Sequence, residues 1–190
     1  KLIRDHGGAE RCNTFSMFYL ACLGQVPWQA VPAIPPELIM LPKWFYFHMT
    51  KISAWTRTMI VPLAVVTALR PTRQLEPDQS IDELFVDERL RRTLTVENDA
   101  PKFWRFFFQG IDRGLKFLQR IGGLPLRQKA LRRCRDWMVE RMSQDGPAET
   151  EGLGAIFPPM VYTQVALMAM GWPRDHELLQ RTERDLDAFF

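Results

Sequence analysis

Apolar positions along this chain recur at spacings of three and four wherever proline and glycine permit, and strict alternation is rare, so the pattern predicts an all-α fold of six to eight helices. Asn13-Thr14 is placed to cap a short helix running to about Leu23 and closed by Gly24. The stretch Gln25 to Pro36 reads as a stiff connection paced by Pro27, Pro32, Pro35 and Pro36. Glu37 opens the next helix, an acidic residue in a first turn where the helix dipole favours it. Thr50 or Ser53 starts a helix toward Leu69, kinked near Pro62. Residues 71–100 are polar, with Pro71, Pro77 and an acidic run from Asp78 to Glu88, and predict a surface excursion with at most a short helix around Ile81 to Phe85. The excursion reads as an insertion within one domain covering 1–190.

The segment 101–120 carries the clearest periodicity. Its polar residues fall at 102, 105, 109, 112, 113, 116, 119 and 120, which paints one face of a helix. Phe103, Trp104, Phe107, Phe108, Ile111, Leu115 and Leu118 form the other face, and Lys102, Arg105, Arg113, Lys116 and Arg120 crown the polar one. Two readings remain open: a core helix whose Gly110 and Gly114 allow close packing, or an interfacial helix with aromatics in lipid and cations above.

Composition narrows the classes. An apolar share of 46% supports a packed core in one large domain or two small ones, and 25% charged residues is the globular norm, which excludes disordered and collagen-like chains. Two uncharged stretches, 12–36 and 152–173, have the length of a membrane span. Prolines interrupt both, so the expectation is contact with a membrane without crossing. Residues 89–135 hold 13 Lys and Arg against Glu97, Asp99 and Asp112, a local balance of +10 in a chain at +3. Such a block suits phosphates of nucleic acid or lipid. The phenylalanines favour lipid, and no nucleic-acid-binding motif accompanies the block. Cys12, Cys22 and Cys134 show no paired spacing and read as reduced thiols. The chain opens on Lys1-Leu-Ile-Arg with no signal-peptide pattern, and its start reads as truncated.

Sites with recognisable chemistry are sparse. His6, His48 and His176 lack ligand spacing and read as surface or capping residues, so neither a metal nor a cofactor is expected. No nucleophile elbow, phosphate loop or dinucleotide fingerprint occurs; Gly152-Leu-Gly-Ala comes nearest and lacks the third glycine. Asp185-Leu-Asp187-Ala invites an acid-catalysis reading but sits in a charge-rich amphipathic stretch, where a solvated face is the simpler account. What remains is aromatic: Phe15, Phe18, Tyr19, Trp44, Phe45, Tyr46, Phe47, Trp55, Phe157 and Tyr162. Most such residues build core; some could line a hydrocarbon pocket, where ring faces stabilise positive charge by about 0.5–2 kcal/mol each.

Several ordered strings then resemble the squalene-hopene cyclases of the triterpene cyclase family. They are Gly7-Gly-Ala-Glu-Arg-Cys-Asn-Thr-Phe, Gly24-Gln-Val-Pro-Trp-Gln-Ala-Val-Pro-Ala-Ile-Pro-Pro-Glu, Leu41-Pro-Lys-Trp-Phe-Tyr-Phe-His, Ser53-Ala-Trp-Thr-Arg-Thr-Met-Ile-Val-Pro-Leu and Glu151-Gly-Leu-Gly-Ala-Ile-Phe-Pro-Pro-Met. The resemblance implies two α/α barrels (toroids), monotopic membrane attachment on the cytoplasmic side and cyclisation of squalene to hopene and hopanol by protonation of a terminal alkene. It allows a homodimer for the full-length protein. It places residues 1–190 in the later part of the smaller, inserted barrel, ahead of the Asp-x-Asp-Asp acid motif, which this stretch lacks. An enzyme is thus implied for the parent protein, with no catalytic residue in this stretch and an inactive, sticky fragment when alone.

By motif, Trp55 is similar to a cavity tryptophan facing the substrate and Phe15 to an aromatic lining the same cavity. Ile156, Phe157 and Pro158 resemble the loop near the end of the ring cascade, with Asn13, Tyr19 and Tyr162 in its polar network. Ile52 and Ile60 resemble the constriction of the channel from the membrane. Phe103, Trp104, Phe107 and Phe108 become the expected membrane contact. A degenerate glutamine-tryptophan repeat is similar to Arg135-Asp-Trp137-Met-Val-Glu-Arg-Met142-Ser-Gln-Asp145-Gly146, with Met142 where the glutamine belongs. The competing class is a non-catalytic, membrane-associated helical scaffold that kept the barrel wall, or a decayed remnant.

Overall fold

The computed structural model describes residues 2–46, 48–87, 91, 94, 102–120, 126–142 and 156–187; among them every regular element is helical and no strand occurs. The chain divides into two compact units, each assembled from two separated stretches: Lys1–Ala33 with Arg70–Gly114, and Ile34–Leu69 with Leu115–Phe190.

In the first unit a single turn, α1 (Leu2–Asp5), precedes α2 (Thr14–Cys22). α2 starts where Asn13 accepts a hydrogen bond from the Ser16 N–H at 2.9 Å, satisfying one of the donors that a helix start leaves open. It stops at Gly24, whose φ of +68° lets the Gln25 N–H turn back to the Leu20 carbonyl at 2.8 Å. Both signals are local, and both lie where the sequence predicts them.

Residues 71–87 are polar in composition yet firmly tied to this unit. The Arg73 N–H donates to the Cys22 carbonyl at 2.8 Å, and the Trp28 indole donates to the Thr72 hydroxyl at 2.9 Å. The Val86 and Asp87 N–H groups converge on one Glu10 carboxylate oxygen at 2.8 and 3.1 Å. Phe85 is fully buried beneath the Arg91 guanidinium, 5.2 Å from the ring centre, and Arg91 also holds Gln25 and Asp82. One buried ring and three backbone donors anchor a stretch whose average polarity gives no hint of them. The expected short helix reduces to a 3-10 turn at Asp82–Leu84. α4 (Lys102–Arg120) follows; in its first-unit portion the Asp112 carboxylate accepts from the Ala33 N–H at 2.8 Å.

The second unit centres on α3 (Ala54–Leu69). Ser53 caps it, its hydroxyl accepting from the Thr56 N–H at 3.1 Å. Seven consecutive residues, Val61 to Thr67, are buried, so this helix is covered around its circumference and Pro62 sits inside it. The missing N–H at Pro62 costs a helix hydrogen bond, while packing on both sides keeps the helix continuous. Thr67 donates its hydroxyl to the Ile34 carbonyl at 2.8 Å. α5 (Arg127–Met142) buries Ala130, Leu131, Cys134, Met138 and Met142, a stripe with fourfold spacing, against α3 and the 3-10 turn Pro36–Met40. α6 (Phe157–Ala169) makes the largest contact with α3, and α7 (Glu177–Asp187) packs on α6.

Glu37 has a role beyond the first-turn acid that the sequence predicts. Its turn is a five-residue 3-10 helix, and its carboxylate accepts from the Arg127 Nε at 3.2 Å with both side chains only 12–13% exposed. The pair pins the start of α5 to the turn, 90 residues away in sequence. Trp137, the aromatic position of the degenerate repeat, lies under Arg141 at 3.8 Å; Asp145 and Gly146 fall outside the described residues.

All three cysteines are free. Burial pushes the Cys134 thiol up to about 12, with Glu37 adding to the effect, and pushes Cys22 up to about 11. The thiolate is the reactive form. Iodoacetamide near neutral pH is therefore expected to label exposed Cys12 first, Cys22 much more slowly, and Cys134 only on unfolding, as read by peptide mass spectrometry; prompt labelling of Cys134 would contradict this packing.

Candidate functional site

Most of the wall residues that the sequence singles out lie on or beside α3 and α6, two helices that pack on each other. Trp55 stands in the first turn of α3 with 60% of its surface exposed, far more than a core tryptophan keeps. Ile52 and Ile60, the expected constriction, are half-buried before and along the same helix. On α6, Ile156 is the extended N-cap residue, and Phe157-Pro158-Pro159 open the helix where missing N–H groups cost nothing. Phe157 is exposed, Pro158 half-buried and Tyr162 wholly buried one turn further on. Thr163 beside it donates its hydroxyl to the Pro159 carbonyl at 2.7 Å. This part of the second unit is apolar and aromatic. In the same unit, burial lowers the Arg141 pKa, Glu140 opposes the shift, and the Arg57 charge adds to it.

Phe15 and Tyr19 belong to α2 of the first unit, and Asn13 precedes it as its N-cap. Phe15 is exposed and Tyr19 half-buried, whereas the Asn13 carbonyl oxygen is engaged as the α2 cap. A capping task for Asn13 is legible from Asn-Thr before an apolar run. The three histidines have local roles: His48 and His176 accept from the backbone N–H of Thr50 and Leu178, and His6 bonds the Leu2 carbonyl. Asp187 is exposed and Asp185 half-exposed on either side of buried Leu186, the solvated face that the sequence suggests. Among the described residues no cluster of His, Cys, Asp or Glu could hold a metal ion.

α4 presents an unusual surface. Phe106 and Phe117 are 77% and 62% exposed, with Phe107, Gly110, Ile111, Arg113 and Gly114 on the same side, while Gln109, Asp112, Leu115 and Lys116 are half-buried. Among the described residues, nothing beyond the helix's own backbone lies within 4 Å of where a Cβ on Gly110 or Gly114 would be. Asp112, on the polar face, is half-buried and accepts from the Ala33 N–H. Phe107 and Ile111, on the apolar face that the sequence predicts, are exposed, and Phe106 and Phe117 beside that face are exposed with them. Both rings flank the apolar arc on a helical wheel, the signal that would have found them. The backbones of Phe103, Trp104 and Phe108 lie on α4, but their side chains fall outside the described residues. No described helix is long and apolar enough to cross a membrane.

Among the described residues every regular element is helical, as in the α/α toroid of the terpene cyclase class to which the matching domain belongs. The sequence model of the squalene-hopene cyclase N-terminal domain matches residues 1–190. The squalene-hopene cyclase of Zymomonas mobilis is 35% identical over 92% of this chain, covering 25% of that protein, and the one from Bradyrhizobium diazoefficiens is 34% identical over 97%, covering 27%. Dammaradiene synthase of Dryopteris crassirhizoma is 32% identical over 95% of the chain and 26% of its own length. The chain belongs to the squalene-hopene cyclase family. It spans about a quarter of the length of these curated relatives.

Proposed function

We propose that the full-length protein cyclises squalene to pentacyclic hopene and hopanol, with this stretch supplying part of the hydrocarbon wall and a membrane-contact helix but not the acid. The observation that carries the reading is a family match over the whole chain, together with a Trp55 that keeps most of its surface uncovered at the head of α3. In such a reaction a carboxylic acid protonates a terminal alkene, the cation passes through successive ring closures, and loss of a proton or capture of water ends it. Wall residues contribute by shape, by excluding water and by offering ring faces to the moving cation. Trp55, Phe15 and Phe157 take that part, Ile156 and Pro158 shape the terminus, and Ile52 and Ile60 restrict entry. The exposed face of α4 attaches the protein to the cytoplasmic side of the membrane without crossing it, which suits a substrate dissolved in lipid.

Trp55→Ala in the full-length protein tests the reading. Losing one ring face worth about 0.5–2 kcal/mol should slow turnover of squalene about 2- to 30-fold and release incompletely cyclised products, measured by gas chromatography with mass detection. Unchanged rate and products would remove Trp55 from the wall. A wild-type protein that leaves squalene untouched would remove the reading itself.

A further inference from the structure

We propose that the loop from Lys43 to Tyr46, with Lys51 behind it, is a second lipid-contact point, one that recognises anionic headgroups. The inference rests on the membrane reading given above and assigns to it a surface in the second unit separate from α4.

Trp44 and Tyr46 are 79% and 78% exposed, although a loop free to fold inward would bury such rings. The loop holds them out by its own bonds. The Phe45 N–H donates to the Pro42 carbonyl at 2.9 Å, the His48 N–H donates to the Phe45 carbonyl at 3.1 Å, and the Lys51 ammonium reaches the Trp44 carbonyl at 3.4 Å. Phe45 sets its ring edge-on against Trp44 at 5.9 Å and is itself half-buried, a brace behind the exposed indole. Tryptophan and tyrosine are the side chains that settle at headgroup depth, with an apolar ring and a polar tip. Charge decides the kind of surface: between Glu37 and Glu76 the sequence holds Lys43, Lys51, Arg57, Arg70 and Arg73 and no carboxylate. Lys43 and Lys51 are exposed beside the two rings. An acid-free, cationic, aromatic loop complements phosphate-bearing, negatively charged lipid.

The experiment compares full-length protein variants on vesicles of phosphatidylcholine alone and of phosphatidylcholine mixed with phosphatidylglycerol. Lys43→Gln with Lys51→Gln should lower partitioning about 5- to 30-fold on the mixed vesicles and leave it unchanged on the neutral ones. Trp44→Ser with Tyr46→Ser should lower it about tenfold on both. Lys43→Gln alone leaves the Lys51 contact to the loop intact, and should still give about fivefold if the double variant misfolds. Loop variants that bind like wild type, while a variant of the α4 rings detaches, would overturn this inference and leave the membrane reading standing; the loop would then face protein. Wild-type binding by loop and α4 variants alike would overturn both. A lysine effect of equal size on neutral vesicles would overturn the headgroup assignment.

Discussion

Replacing Phe106, Phe107 and Phe117 with glutamine in the full-length protein is expected to release it from phospholipid vesicles, lowering the partition coefficient roughly 100-fold. Each ring is exposed on one side of α4, and a ring half-inserted among acyl chains contributes about 1 kcal/mol, so three contribute about two decades in binding. Glutamine is chosen because it favours helix about as well as any polar residue, which keeps α4 formed despite Gly110 and Gly114. Raising the salt concentration should weaken the remaining cationic attraction and leave the aromatic share in place. Co-sedimentation with vesicles measures both. Retained binding at low and high salt would mean that this face meets another protein surface, and the membrane assignment would fall with it.

Arg127→Ala is expected to destabilise the protein by about 2–4 kcal/mol, the largest stability effect that any single polar contact here supports. The substitution leaves the Glu37 carboxylate in a site where only 12% of its surface reaches water, and an ion pair broken on one side costs far more than the pair contributes when intact. Its second carboxylate oxygen is already buried without a hydrogen-bond partner among the described residues, so no spare donor stands ready. The double variant Glu37→Leu with Arg127→Met should recover most of the loss, because apolar side chains of similar volume fill the same space without desolvated charge. Thermal unfolding of the four proteins would display this as a strongly non-additive cycle. Additive losses would show instead that each residue acts through separate contacts.

That ion pair also marks where the sequence stops being informative. Helix starts and stops were legible because they are local: Asn13 and Gly24 frame α2, and Ser53 caps α3. The family likeness was legible because long ordered strings survive in the chain. The partner of Glu37 was not, since nothing within a few residues points 90 positions ahead to Arg127. Phe85 illustrates the same limit, as one apolar residue in an acidic run does not change the run's average. On α4 the periodicity correctly identified an amphipathic helix but assigned its faces from its own residues alone. The Asp112 carboxylate on the polar face meets the Ala33 N–H, 79 positions away, a contact that the periodicity of the helix does not contain. Of the candidate wall, Trp55, Ile60, Ile156, Phe157, Pro158 and Tyr162 share one packed helix pair, while Phe15, Asn13 and Tyr19 were gathered with them by motif and stand in a different unit.

The interleaved construction of the two units has a consequence for the order of events at the ribosome. α3, with its unbroken buried run from Val61 to Thr67, leaves the exit tunnel about 90 residues before α6, the helix that covers most of it. At ordinary elongation rates that interval lasts about 5–20 s. The stretch that completes the first unit, through Gly114, is synthesised within the same interval. Until α5 and then α6 follow, the Pro36–Met40 turn is the main partner among the described residues already made for this heavily buried helix, a natural opening for a chaperone.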